Sequence, residues 1–162
     1  MKLMFLVLSL IVSLTGCGSS GNRGGSSAEN IGPIVSLGAD IKNSPPDIKL
    51  DQMGRVIEIN LSKKPVSDDD LKVIAQYKHL QKLWLANTGV TDAGLLSLVS
   101  LQKLRVLGLA RTSVSDEGLL HLSQFRSLQK VHLYPNKITV GAVEELAAKR
   151  KMAKLPRIIV EY

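Results

Sequence analysis

Apolar residues over most of this chain fall in columns that repeat every 24 residues. Val56, Leu80, Leu104 and Leu128 open four successive units. Ile59, Leu83, Leu107 and Val131 follow, then Leu61, Leu85, Leu109 and Leu133, then Val66, Val90, Val114 and Ile138. Further columns run Leu71, Leu95, Leu119, Val143 and Ile74, Leu98, Leu122, Leu146. The next, Tyr77, Leu101, Phe125, breaks at Lys149. The early columns are two residues apart, the spacing of a half-buried strand. After a Thr/Ser position the spacing becomes three or four, that of an amphipathic helix. Each unit is therefore predicted to be strand, turn, helix.

A unit with one apolar strand face and one apolar helix stripe cannot bury both by itself, so neighbouring units must stack. The columns Leu80, Leu83, Leu85, Val90 and Leu104, Leu107, Leu109, Val114 resemble the leucine-rich repeat pattern over about residues 55–162. The variant "T-x-V-[TS]-D-x-G-L" looks like a bacterial subgroup found in exported, membrane-attached proteins. The resemblance implies an α/β leucine-rich repeat solenoid: a short horseshoe with a parallel sheet on its concave face and helices on its convex face. The sequence departs from the pattern at the usual Asn/Cys position, which holds Lys64, Thr88, Thr112 and Asn136. Thr and Asn there can bond turn backbone, whereas Lys64 is expected to point to solvent.

The repeated Thr/Ser-Asp pair resembles an active-site loop but has a local account. Ser67, Thr91, Ser115 and Thr139 occupy helix N-cap positions, and Asp68, Asp92, Asp116 and Glu117 place negative charge at the positive end of the helix dipole. Gly94 and Gly118, one turn in, allow close approach of a neighbouring turn. A catalytic reading, with Asp92 or Asp116 as general acid, would need a carboxylate placed differently from its copies.

The domain is expected to span 31–162, with a cap at 31–55, four repeats at 56–151 and a closing segment at 152–162. Two alternating runs in 47–59 around Asp51-Gln52-Met53-Gly54 predict a hairpin that shields the first edge of the sheet. Residues 33–38 read as one short helix, with Pro33 near its start and Gly38 after its end. Pro156 is expected to break the last helix, leaving Arg157–Tyr162 as a final strand.

Ahead of the domain, Met1-Lys2 and the 12-residue apolar run 3–14 form an export signal too short for an ordinary membrane span. Leu14-Thr15-Gly16-Cys17 resembles the lipobox of bacterial lipoproteins. The resemblance implies a signal peptide at 1–16, cleavage before Cys17, lipidation of the Cys17 thiol, and a lipid-anchored place in the bacterial cell envelope. Residues 17–30 read as a lipidated cysteine and a flexible tether, because 18–30 hold eight Gly or Ser among thirteen residues and no large apolar side chain.

Composition narrows the chemistry. The 162 residues carry a net charge of +7 and one cysteine, which excludes a disulfide framework. There is no Gly-rich phosphate loop, no metal-ligand spacing and no nucleophile elbow, and His79, His121 and His132 are scattered. The reading is a non-enzymatic module with no cofactor, metal or small-molecule substrate. A single tryptophan offers no stacking series for nucleic acid.

Two surfaces are candidates. On the concave sheet, the outward positions give Glu58, Lys82, Val106, Lys130; Asn60, Trp84, Gly108, His132; and Ser62, Ala86, Ala110, Tyr134, with Lys63, Asn87, Arg111 and Pro135 just beyond. Gly108 and the alanines would leave a low floor beside Trp84, with Tyr134, His132 and Arg111 as its wall, suited to another protein. The competing account is that Trp84 lies flat across Gly108 to cover a gap. The second surface is a basic rim where helices end: Lys103, Arg105, Arg126, Lys149, Arg150, Lys151 and Lys154. It would attract anionic lipid or cell-wall polymer, or merely complement the helix dipoles.

Overall fold

The structure, a computed structural model, describes residues 29–39 and 47–162. The proposed signal peptide, Cys17 and the tether up to residue 28 lie outside the described residues.

The chain forms one six-stranded sheet whose strands lie side by side in chain order. Strand β1 (Ile48–Leu50) is antiparallel to β2 (Val56–Asn60). From β2 onward, β3 (Lys82–Trp84), β4 (Val106–Gly108), β5 (Lys130–His132) and β6 (Ile159–Glu161) are parallel. A helix follows each of the four repeat strands: α2 (Asp68–Ile74), α3 (Asp92–Ser97), α4 (Asp116–His121) and α5 (Val140–Met152). A short helix α1 (Gly32–Ser36) precedes the sheet. Register follows the columns, with Ile59 beside Leu83, Leu83 beside Leu107 and Leu107 beside Val131. The inward columns are buried between sheet and helices, with Ile138 and Val143 of the last unit only partly so, and the architecture is an α/β solenoid of stacked strand-turn-helix units.

The aspartates do more than face a helix dipole. Asp68, at the start of α2, accepts the backbone N–H of Thr91 at 2.8 Å and its hydroxyl at 2.6 Å. Asp92 does the same to Ser115, and Asp116 to Thr139. Each aspartate thus holds the N-cap residue of the next unit, in a ladder running along the solenoid. Gly94 and Gly118 fit this arrangement, because a methyl group there would collide with the carboxylates of Asp68 and Asp92. The ends of the array are exceptions. The first unit, with no predecessor, has Asp70 where the glycines stand, and Asp70 instead closes a capping box with Ser67. The fourth unit, which has no following helix among the described residues, has exposed Val140 in the aspartate column.

The N–H and hydroxyl of Thr139 hold the pKa of Asp116 below the usual carboxylate range. A depressed folded-state pKa contributes stability above the unfolded value, and that contribution is lost as pH falls through the folded one. Asp116→Ala should therefore lower the melting temperature at pH 7. The gap to wild type should shrink below about pH 4. Melting curves across pH 2–7 check this, and a gap independent of pH would rule it out.

At the Asn/Cys position, the Thr88 and Thr112 hydroxyls donate to the carbonyls of Leu85 and Leu109, and Asn136 donates to Leu109 O at 2.9 Å. Lys64 departs from expectation: it is half-buried, its stem lying beside Gly38 and its ammonium 3.8 Å from Asp47.

The ends of the domain also differ in detail. The last two residues assigned to the tether are docked, since Glu29 accepts the Val56 N–H at 2.7 Å and the Tyr77 hydroxyl donates to Asn30 O at 2.8 Å. The β1–β2 turn is held by Asp51, which accepts from Met53 N–H, Arg55 N–H and the Arg55 guanidinium. The Arg55 side chain is the main reason its pKa falls to about 2. Helix α5 stops at Met152, before Pro156, because Lys154 takes a left-handed φ of 55°. Its N–H bonds Lys151 O and the next N–H bonds Arg150 O, a Schellman closure. The final strand accordingly starts at Ile159, not Arg157.

Candidate functional site

The outward positions of the sheet form a connected strip. Glu58 accepts from Lys49 at 2.9 Å, lies 3.7 Å from the Lys82 ammonium, and accepts the Trp84 indole N–H at 3.3 Å. Burial pushes the Glu58 pKa up, but these donors outweigh it and the net shift is downward. From Glu58 the indole extends over Gly108 and meets His132, with ring centroids 5.3 Å apart and planes tilted by 37°. His132 Nδ1 lies 2.5 Å from Glu161, and the Lys130 ammonium reaches the other oxygen of that carboxylate. The hydrogen bond from Lys130 is the chief cause of the lowered Glu161 pKa.

This geometry corrects one part of the expected site. Gly108 is buried under the Trp84 ring and offers no open floor. Trp84 is only partly exposed, so it serves as the floor itself. Asn60 spends its side-chain oxygen on the Ser62 N–H at 3.1 Å. Lys82 and Lys130 are tied to the acids at either end of the strip.

What protrudes lies one row further on, at the ends of the strands. Tyr134 is 73% exposed, the most exposed aromatic side chain among the described residues. Beside it runs the row Lys63, Asn87 and Arg111, each at a left-handed φ of 64°, 57° and 55°. Their shared conformation has a structural cause: the N–H groups of Lys63 and Asn87 bond the carbonyls of Ala86 and Ala110 in the next unit. The turn thereby fixes an exposed Lys, Asn and Arg along one edge of the strip. Pro135 ends the row, since its ring forbids that φ. Sequence reasoning placed these residues in a row but missed the left-handed turn. Asn87 was its one readable signal, because asparagine tolerates that region.

The basic rim is thinner than the sequence implies. Arg150 does not belong to it: the side chain is 1% exposed and its guanidinium donates to four inward carbonyls, Pro156, Leu122, Phe125 and Leu128. Burial away from water lowers its pKa. The helical stripe Val143, Leu146, Arg150 was the signal for this position, hidden by lysines on either side. Lys149 pairs with Glu145 at 3.0 Å, and Lys103 lies 2.9 Å from His79 Nδ1. Arg105, Arg126, Lys151 and Lys154 are exposed and form no ion pair among the described residues. The acids at the helix starts are largely engaged as well: Asp68, Asp92 and Asp116 by the ladder, Asp70 by the capping box and Asp69 by a pair with Lys72 at 2.7 Å.

Among the described residues no group of three or more His, Cys, Asp or Glu is placed to hold a metal ion, and no helix is long and apolar enough to cross a membrane.

No protein-family model and no curated protein matches the chain. Among solved structures, the crystal structure of PEPR1-AtPEP1 is similar to 80% of this chain at 15% identity, with a TM-score of 0.44. The chain spans 24% of that structure's chain. The protein's own geometry defines its class: an α/β solenoid of stacked strand-turn-helix units with a pre-paired strip of side chains across the open face of its sheet.

Proposed function

We propose that this protein is a lipid-anchored, non-enzymatic binding module of a bacterial cell envelope, and that it takes a protein partner on the open face of its sheet. The observation that carries this reading is Tyr134, exposed just past β5 on the face that also carries Arg111 and the paired Trp84 and His132 rings. Interfaces favour aromatic and arginine side chains whose surroundings are already ordered, because little further freedom is lost on contact. Binding is then centred on Tyr134 and Arg111, with Trp84, His132 and Asn87 as its floor and rim. The anchor rests on the Leu14–Cys17 motif behind the apolar run.

A photo-crosslinking amino acid at position 134 of the full chain should give a discrete protein adduct in cells, and one at Leu96 on the helical side should not. Tyr134→Ala should weaken capture of the adduct protein by about 30-fold, equivalent to about 2 kcal/mol. No protein adduct at 134, with adducts to lipid or wall polymer at Lys154, would sink the sheet-face reading. The rim, with Arg105, Arg126, Lys151 and Lys154 lacking ion pairs among the described residues, would take its place.

The anchor has a separate test. Cys17→Ser should accumulate an uncleaved precursor, while the wild-type chain partitions into detergent. Normal processing together with a soluble wild-type chain would remove lipidation from the proposal.

A further inference from the structure

The far end of the solenoid carries a strand with one edge unpaired among the described residues and a sequence complementary to itself. Strand β6 hydrogen-bonds to β5 through the Ile159 N–H and the Glu161 carbonyl. By alternation, the backbone groups of Ile158 and Val160 point the other way, and no strand meets them among the described residues. Unpaired edges of this kind are templates for pairing with another chain. Beside the edge a groove of about 390 Å³ opens between α5 and β6, lined chiefly by Val143, Leu146, Ala147, Ile158, Val160 and Tyr162. Ile159 is 62% exposed on the open face of the sheet.

We propose that β6 pairs antiparallel with β6 of a second copy of this chain, joining two sheets across a two-fold axis at Ile159. In this register Ile159 faces its own copy, Arg157 faces Glu161 of the partner copy, and Ile158 faces Val160. The outward backbone groups of Ile158 and Val160 fall in hydrogen-bonded pairs, and Ile159 falls in the closer, non-hydrogen-bonded pair. Opposite charges thus flank an apolar centre on the open face, while aliphatic side chains meet on the groove side. Shifting the register by two residues sets Ile159 against Glu161 in one direction and against Arg157 in the other, and either way leaves Arg157 without an acid. The charges therefore select one register and a second copy as occupant. The same axis reverses α5, setting the direction from Glu144 and Glu145 toward Lys149 and Lys151 against its opposite in the partner copy.

The test is disulfide trapping in the full chain, in membranes, with a mild copper oxidant. Facing non-hydrogen-bonded residues have Cα atoms about 4.5 Å apart, within disulfide reach. Ile159→Cys should therefore give covalent dimer well above the wild-type background. Arg157→Cys alone should stay at that background, because the two copies of residue 157 lie about 13 Å apart along the strands. Coexpressed Arg157→Cys and Glu161→Cys chains should trap again. A dimer yield from Ile159→Cys no greater than wild type, or equal trapping by Arg157→Cys alone, would overturn the proposal. As a measurement without cysteine substitutions, the detergent-corrected mass of the wild-type chain should be that of two copies. Arg157→Glu should shift it toward one copy, and mixing that variant with Glu161→Arg should restore two. A one-copy wild type would also overturn it.

Discussion

Arg150→Ala is expected to cost about 3 kcal/mol or more of folding stability, although the residue sits in a run of lysines that reads as surface. The guanidinium satisfies the carbonyls of Leu122 and Phe125 at the end of the third unit, of Leu128 at the start of the fourth, and of Pro156 after α5. Removing it leaves several inward acceptors with fewer donors, and each buried orphan costs about 1–3 kcal/mol. Arg150→Lys should recover only part of the loss, because an ammonium lacks the planar fork that reaches carbonyls on several sides. Urea unfolding of the three proteins decides the matter. An alanine variant as stable as wild type would return Arg150 to the exposed rim.

Leu109→Asp is expected to be more damaging. Leu109 is fully buried in the column with Leu61, Leu85 and Leu133, and its unit is clamped on both sides by others. A carboxylate there has no cation to pair with in the column and should cost about 4 kcal/mol or more, a large share of the stability of an ordinary domain. The expected readout is loss of the cooperative melting transition at neutral pH. Retention of a wild-type melt would contradict the register that places Leu109 inside.

Both effects bear on how far the sequence alone discloses this molecule. The repeating interior was readable because burial selects apolar residues, and strand and helix impose different spacings on them. The repeat period by itself sets residues such as Leu83, Leu107 and Val131 side by side. The Asp–Thr/Ser bridges were harder. The columns brought Asp68 and Thr91 into view, but a single unit explained each aspartate adequately through its own helix, and only the three-dimensional offset between units shows the bond across. The far end was least accessible. Strand β6 follows an extended helix, so Lys130 aligns with Ile159 and His132 with Glu161 at a spacing that the 24-residue period does not give. Glu161 was therefore missed as the acid that anchors His132. Trp84 over Gly108 was foreseeable from adjacent columns. Its bond to Glu58, which decides how the ring lies, depended on side-chain reach.

The aspartate ladder makes the solenoid directional in its own chemistry. A middle unit both offers a carboxylate forward and receives one from behind, so the two middle units are alike in the ladder. The first unit can only give and the last can only receive, and Asp70 and Val140 mark those two states in single letters. Copying the third unit would repeat the ladder's bonds on both sides, whereas copying the second would set a second tryptophan where Gly108 lies under Trp84, and copying either end would set a missing acid or an extra one against its neighbour. The ladder's chemistry thus repeats between two ends that single residues mark. This chain carries within its columns the rule by which a longer or shorter relative would be assembled.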